Sequence, residues 1–175
     1  MTVQLLRESG SSLKAVSYLG IDPGLRRTGY ALLERSTDGP VLREAGVIRS
    51  KPGISLASRV LEIGTGLREV IQEFKPGAMA IEQVFSLGKN PKSALLMAHA
   101  RGAILMVAAE SELPIIHFTP TQVKRLLTGS GKASKEQMQH AVTRELGLDL
   151  LLEPNDVADA SAVALSLYHR LRFAA

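Results

Sequence analysis

Hydrophobic periodicity changes once along this chain of 175 residues, and the change limits the folds open to it. Residues 15–22, 28–34 and 41–49 are short apolar runs rich in β-branched and aromatic types. Pro23-Gly24 stops the first, and Asp38-Gly39-Pro40 separates the second from the third. Connections this short predict an antiparallel meander. From residue 55 the period lengthens. Leu56, Val60, Ile63, Leu67 and Ile71 recur on one face of a helix over 55–74. Strands at 78–84 and 113–118 then alternate with helices at about 91–111, 119–127, 134–146 and 156–172. The helix at 91–111 is apolar almost all round between Ala94 and Ala109, which predicts burial on more than one side. The last helix carries its stripe on Val157, Ala160, Ala164, Tyr168 and Leu171. The pattern predicts one α/β domain over 15–173, with helices flanking a five-stranded mixed sheet: a three-strand antiparallel meander plus two parallel strands. Residues 1–14 are polar and aperiodic, a flexible N-terminal extension.

Composition narrows the compartment and the chemistry. A chain that is 45% hydrophobic and 22% charged is expected to be an ordinary soluble domain. Its apolar runs read as falling short of the roughly 20 residues of a membrane span, and the first residues lack a signal-peptide core. Cysteine is absent, so neither a disulfide framework nor a thiolate zinc site is available, and a cytoplasmic location without membrane contact is expected. The net charge of +4 permits a polyanionic partner without requiring one.

Four acids stand where apolar elements begin or end. Asp22 closes the first strand, Glu82 closes the fourth, and Asp156 and Asp159 open the last helix one turn apart. Sites in α/β sheets form outside the carboxyl ends of parallel strands, where Asp22 and Glu82 would meet. Asp before Pro-Gly also suits a turn, and acids in a first helical turn also suit the helix dipole. A buried strand ending in glutamate is harder to explain without a partner. Jointly the four make a hard, all-oxygen ligand set for two Mg²⁺ or Mn²⁺ ions, the arrangement that cleaves phosphodiesters. His99, His117, His140 and His169 show no metal-ligand spacing.

Basic residues gather in loops and at helix starts: Arg26, Arg27, Lys89, Lys92, Lys124, Arg125, Lys132 and Lys135. Each alone reads as solvated surface; as a group they suit phosphate contacts. Phe85 follows the fourth strand into a polar loop, where it either stacks on an unpaired base or packs beneath the loop. Gly129-Ser130-Gly131-Lys132 is not a nucleotide loop, because Leu126 and Ala133 stand where that pattern needs glycine and a hydroxyl.

Three stretches carry a resemblance: Leu19-Gly-Ile-Asp-Pro-Gly-Leu-Arg-Arg-Thr-Gly-Tyr30, Ala80-Ile-Glu-Gln-Val-Phe85 and Asn155-Asp-Val-Ala-Asp-Ala160. With Asn90–Ala94, Ala100–Gly102 and Gln122–Lys124 between them, the chain resembles the RuvC family of Holliday-junction resolvases, in the ribonuclease H-like superfamily, over about 16–170. The resemblance implies a ribonuclease H-like fold and a homodimeric endonuclease. Such an enzyme makes paired, metal-dependent cuts in four-way DNA junctions during recombination and repair, using Mg²⁺ or Mn²⁺. It places the family's catalytic carboxylates on Asp22, Glu82, Asp156 and Asp159, its stacking aromatic on Phe85, and two DNA-contacting lysines on Lys124 and Lys135. It also implies a branch-migration motor of the RuvA and RuvB type as a partner. Residues 1–14 depart from the family, whose members begin close to the first strand.

Overall fold

The computed structural model describes residues 16–83 and 91–172. The predicted extension, Phe85 and Lys89 therefore lie outside the described residues. Three strands come first, β1 (Ser17–Asp22), β2 (Arg27–Arg35) and β3 (Pro40–Arg49), followed by α1 (Leu56–Phe74) and β4 (Ala78–Glu82). Then come α2 (Pro91–Glu110), β5 (Ile115–Phe118), α3 (Pro120–Thr128), α4 (Lys135–Glu145) and α5 (Asn155–Arg172). Every predicted element is present, with ends within about two residues. The sheet order is β3-β2-β1-β4-β5. β1, β2 and β3 pair antiparallel, whereas β4 runs parallel to both β1 and β5.

The two faces of the sheet are covered differently, and side-chain size decides how. Leu19, Ile21, Met79 and Ile81 point toward α1 and α2, packing with Ile63, Leu67, Ile104 and Val107. The alternate positions Tyr18, Ala78 and Ala80 pack in a second core with Val163, Ala164 and Leu167 of α5. Gly20 shares that face: a Cβ there would lie 2.3 Å from the Ala160 carbonyl oxygen and the Ala164 nitrogen. Small residues on this face thus let α5 lie directly on the central strands. The period of two carries the same face onward from Gly20 to Asp22 and from Ala80 to Glu82, toward the start of α5.

Two helices differ from their sequence pattern. α5 is buried almost all round from Val157 to Tyr168, not along one stripe. Alanine and serine fill more than half of its buried positions, beside Val163, Leu165, Leu167 and Tyr168, and the buried hydroxyls of Ser161 and Ser166 donate to the carbonyls of Val157 and Ala162 at 2.8 and 2.9 Å. Polarity satisfied within the helix leaves no polar face to read. α2 departs in the other direction. It buries only Ala100, Ala103, Ile104, Val107 and Ala108, and leaves Leu95 64% and Met106 54% exposed. Contrary to the expectation that no segment approaches a membrane span, α2 is long and apolar enough to be one. Its buried face packs against α1 in the second layer. Leu56, expected on the buried face of α1, is 41% exposed at the helix start.

Candidate active site

Asp22 and Glu82 come abreast because β1 and β4 are parallel neighbours with Ile21 opposite Ile81. Neighbouring strands lie about 4.8 Å apart, so carboxylates leaving the same end on the same face share one space. The turn after Asp22 is anchored. Thr28 Oγ1 donates to the Gly24 carbonyl at 2.8 Å, and Ser50 Oγ donates to the Leu25 carbonyl at 2.5 Å. Leu25 itself is buried.

The start of α5 meets this rim at Gly29, which pairs with Asp22 across β1 and β2. A Cβ on Gly29 would lie 2.0 Å from the Asp156 carbonyl oxygen, so only glycine lets the helix begin here. Gly29→Ala should therefore tilt the first turn of α5 away and, if the resemblance to a nuclease family holds, reduce cleavage about tenfold or more. Single-turnover cleavage rates compared with the wild type check this; an unchanged rate would show that the close approach is incidental.

Asp22, Glu82 and Asp159 line one cavity of about 260 Å³ together with Lys124 from α3 and Lys135 from α4. Lys135 Nζ lies 3.4 Å from Asp159 Oδ2. Asp156 stands apart from the expected quartet. Its Oδ2 lies 3.1 Å from the Arg27 guanidinium and, though buried, makes no hydrogen bond. The site is thus three carboxylates facing one cavity, with a fourth beside it held by Arg27.

Electrostatics give the same picture. Burial first, then the charges of Asp159, Glu82 and Asp156, push the Asp22 carboxyl up from 3.8 to about 7, against the pull of Lys135. Burial and Asp159 raise Glu82 from 4.5 to about 7, opposed by Lys124. Burial also raises Asp159, with Lys135 opposing. Two lysines do not neutralise this much buried negative charge, and the balance calls for a further cation. The donors are all carboxylate oxygens, which suit hard divalent ions. Among the described residues no three acidic or imidazole side chains already crowd round a single point. What is built is a shared wall of ligands, with no closed cage.

The other predicted DNA residues fall outside the cavity. Arg26 is exposed in the turn after β1, Lys92 in the first turn of α2, and Lys132 in the α3–α4 connection. Of the sequence-selected basic residues among the described ones, Lys124 and Lys135 line the cavity, and Arg27 meets Asp156 beside it. Sequence reasoning missed the pairing of Arg27 with Asp156, for which an adjacent Arg26 left no distinguishing signal.

Residues 18–167 match the family model for crossover junction endodeoxyribonuclease RuvC. The chain belongs to the RuvC family. A RuvC from Rhodopirellula baltica is 48% identical over 147 residues, covering 84% of this chain and 83% of that protein. One from Prochlorococcus marinus is 40% identical over 148 residues, covering 85% and 95%. Among solved structures, Thermus thermophilus RuvC superposes with a TM-score of 0.83 at 32% identity, covering 91% of this chain and 97% of that one. The same enzyme in complex with Holliday junction substrate gives 0.83 over 91% and 96%. The yeast mitochondrial Holliday junction resolvase, 13% identical with a TM-score of 0.60, shares the fold. The five-stranded mixed sheet is that of RuvC, a ribonuclease H-like fold.

Proposed function

We propose that this RuvC-family chain is an endonuclease that resolves four-way DNA junctions by Mg²⁺- or Mn²⁺-dependent phosphodiester hydrolysis, during recombination and repair. The observation that carries the reading is the cavity where Asp22, Glu82 and Asp159 face Lys124 and Lys135 at the ends of β1 and β4. Asp22, the most deeply perturbed carboxylate, would hold the divalent ions together with Glu82 and Asp159, with Asp156 available beside them. Divalent ions held there would supply a lowered pKa for a bound water and stabilisation of a leaving oxygen. The protein's own groups do the rest. Lys124 and Lys135 bind the phosphate and compensate Glu82 and Asp159, and Arg27 fixes the Asp156 carboxylate. Met138 and Val123 form an apolar wall that limits water in the cavity.

The test is cleavage of a synthetic four-way junction, a linear duplex and an RNA–DNA hybrid, each with Mg²⁺, Mn²⁺ or chelator. Cutting of the junction alone, lost with chelator, is the expected result. Equal cutting of all three, or cutting in chelator, would refute it.

A junction has approximate two-fold symmetry, and clean resolution needs two equivalent cuts, which a closed homodimer supplies. Leu95, His99, Gly102 and Met106 form an exposed stripe at helical spacing along α2, and nothing lies within 4 Å of a Cβ built on Gly102. Two copies of α2 can approach closely along this stripe, and it is the proposed dimer face. Sedimentation of the wild type should give a dimer at micromolar concentration. Leu95→Arg should give monomers that nick rather than resolve, and a dimer of unchanged stability in that variant would move the interface elsewhere. Cytoplasmic location and cooperation with a branch-migration motor complete the proposal.

A further inference from the structure

A second cavity, of about 500 Å³, lies between the end of α3 and the outer face of α4, one helix face round from Lys135. Its lining is chemically one-sided. Thr128 is occupied locally: its hydroxyl donates to the Lys124 carbonyl at 2.8 Å and accepts from the Ser130 amide at 3.2 Å. Ser130 Oγ accepts from the Lys132 amide at 3.3 Å, which leaves the Ser130 O–H to donate outward. Gln137 Oε1 accepts the Ser134 amide at 2.8 Å in the capping box of α4, which leaves its NH₂ free. His140 and Arg144, one turn apart on α4, are exposed and make no ion pair or side-chain hydrogen bond among the described residues. No carboxylate lines the cavity.

The Ser130 and Gln137 oxygens are thus already engaged as acceptors while donors remain: a serine hydroxyl, an amide NH₂, an imidazole N–H and a guanidinium. Convergent donors with no acidic partner are the chemistry of an anion site, and the guanidinium fork matches phosphate geometry. We infer that Ser130, Gln137, His140 and Arg144 form a binding site for DNA backbone phosphate, holding a junction arm beyond the scissile position. The inference rests on the junction reading and extends it. Lys135 and Met138 turn one face of α4 to the catalytic cavity, and His140 and Arg144 turn another outward. A duplex arm leaving the cut site alongside α4 passes from the first face to the second.

The test measures binding of fluorescent four-way junctions with long and with truncated arms, across a salt series without divalent metal. Arg144→Gln and His140→Gln are exposed changes, and thermal unfolding confirms that the variants fold. Arg68→Gln, on α1, serves as the control. On the long-armed junction the double variant should bind about 5–10-fold more weakly. Its slope of log K against log salt should become shallower by about one for each phosphate that the variant no longer neutralises. The control should match the wild type, and the truncated junction should bind wild type and double variant alike. An unchanged affinity and salt slope on long arms would overturn the site. A loss of equal size on truncated arms would overturn its assignment to an arm. If the wild type neither binds nor cuts the junction, the underlying function fails as well, and that result is distinct from both.

Discussion

Asp22→Asn is expected to reduce junction cleavage by on the order of 10³-fold or more, with junction affinity in the absence of metal unchanged or improved. The magnitude follows from losing the ligand that all the other acids surround. Metal stabilisation of a developing phosphodiester charge is worth several kcal/mol, and each 1.36 kcal/mol is tenfold in rate. The amide keeps the shape of the side chain but donates where the site needs an acceptor. Affinity should not suffer, because the carboxylate repels phosphate and the asparagine does not. Glu82→Gln should act in the same direction. Single-turnover cleavage and a binding titration on the same junction separate the two effects. A variant that cuts at close to the wild-type rate would remove Asp22 from the centre of the site and leave the cavity without its proposed chemistry.

The sheet was legible because its two faces are written in different sizes. Leu19 and Ile21 alternate with Gly20, and Met79 and Ile81 alternate with Ala78 and Ala80, so both strands and the directions of Asp22 and Glu82 follow from a period of two. α5 was legible as a helix but not as a central one. Alanine and self-bonded serine carry little amphipathic signal, and only their smallness hints that the sheet lies within touching distance. α2 misled for the converse reason: apolar residues all round suggest burial all round, whereas the fold buries one face and leaves Leu95 and Met106 exposed.

At the site, sequence position located the elements that carry the acids but not the rotation of each carboxylate. Asp156 and Asp159 look equivalent in the chain, one turn apart. In the fold Asp159 faces the cavity beside Lys135, while Asp156 turns to Arg27. That difference depends on a cross-sheet neighbour more than a hundred residues away, which no local pattern encodes. The donors around His140 and Arg144 were equally hidden, because their significance lies in the absence of carboxylates opposite them.

The same charges that equip the site should make the metal-free protein lose stability as pH rises. Asp22 and Glu82 both have folded-state values near 7, above the ordinary 3.8 and 4.5. A carboxyl raised in this way binds its proton more tightly when folded, so its neutral form favours the native state. The contribution is fully present below about pH 4, declines as pH rises toward 7, and is gone above that. For Asp22 alone a rise of about three units corresponds to at most ~4 kcal/mol. The pair titrates jointly, so about 2–4 kcal/mol is expected for the whole site. Thermal unfolding in chelator should therefore show the melting temperature falling between pH 5 and pH 8, by roughly 5–10 °C for a chain of this size. Millimolar Mg²⁺ or Mn²⁺ at pH 8 should restore most of that loss, since an ion bound only by the native state stabilises it by mass action. Asp22→Asn should flatten the pH dependence and weaken the metal response together. A wild-type melting temperature that ignores both pH and metal would mean that the three carboxylates do not share the charge burden that defines the cavity.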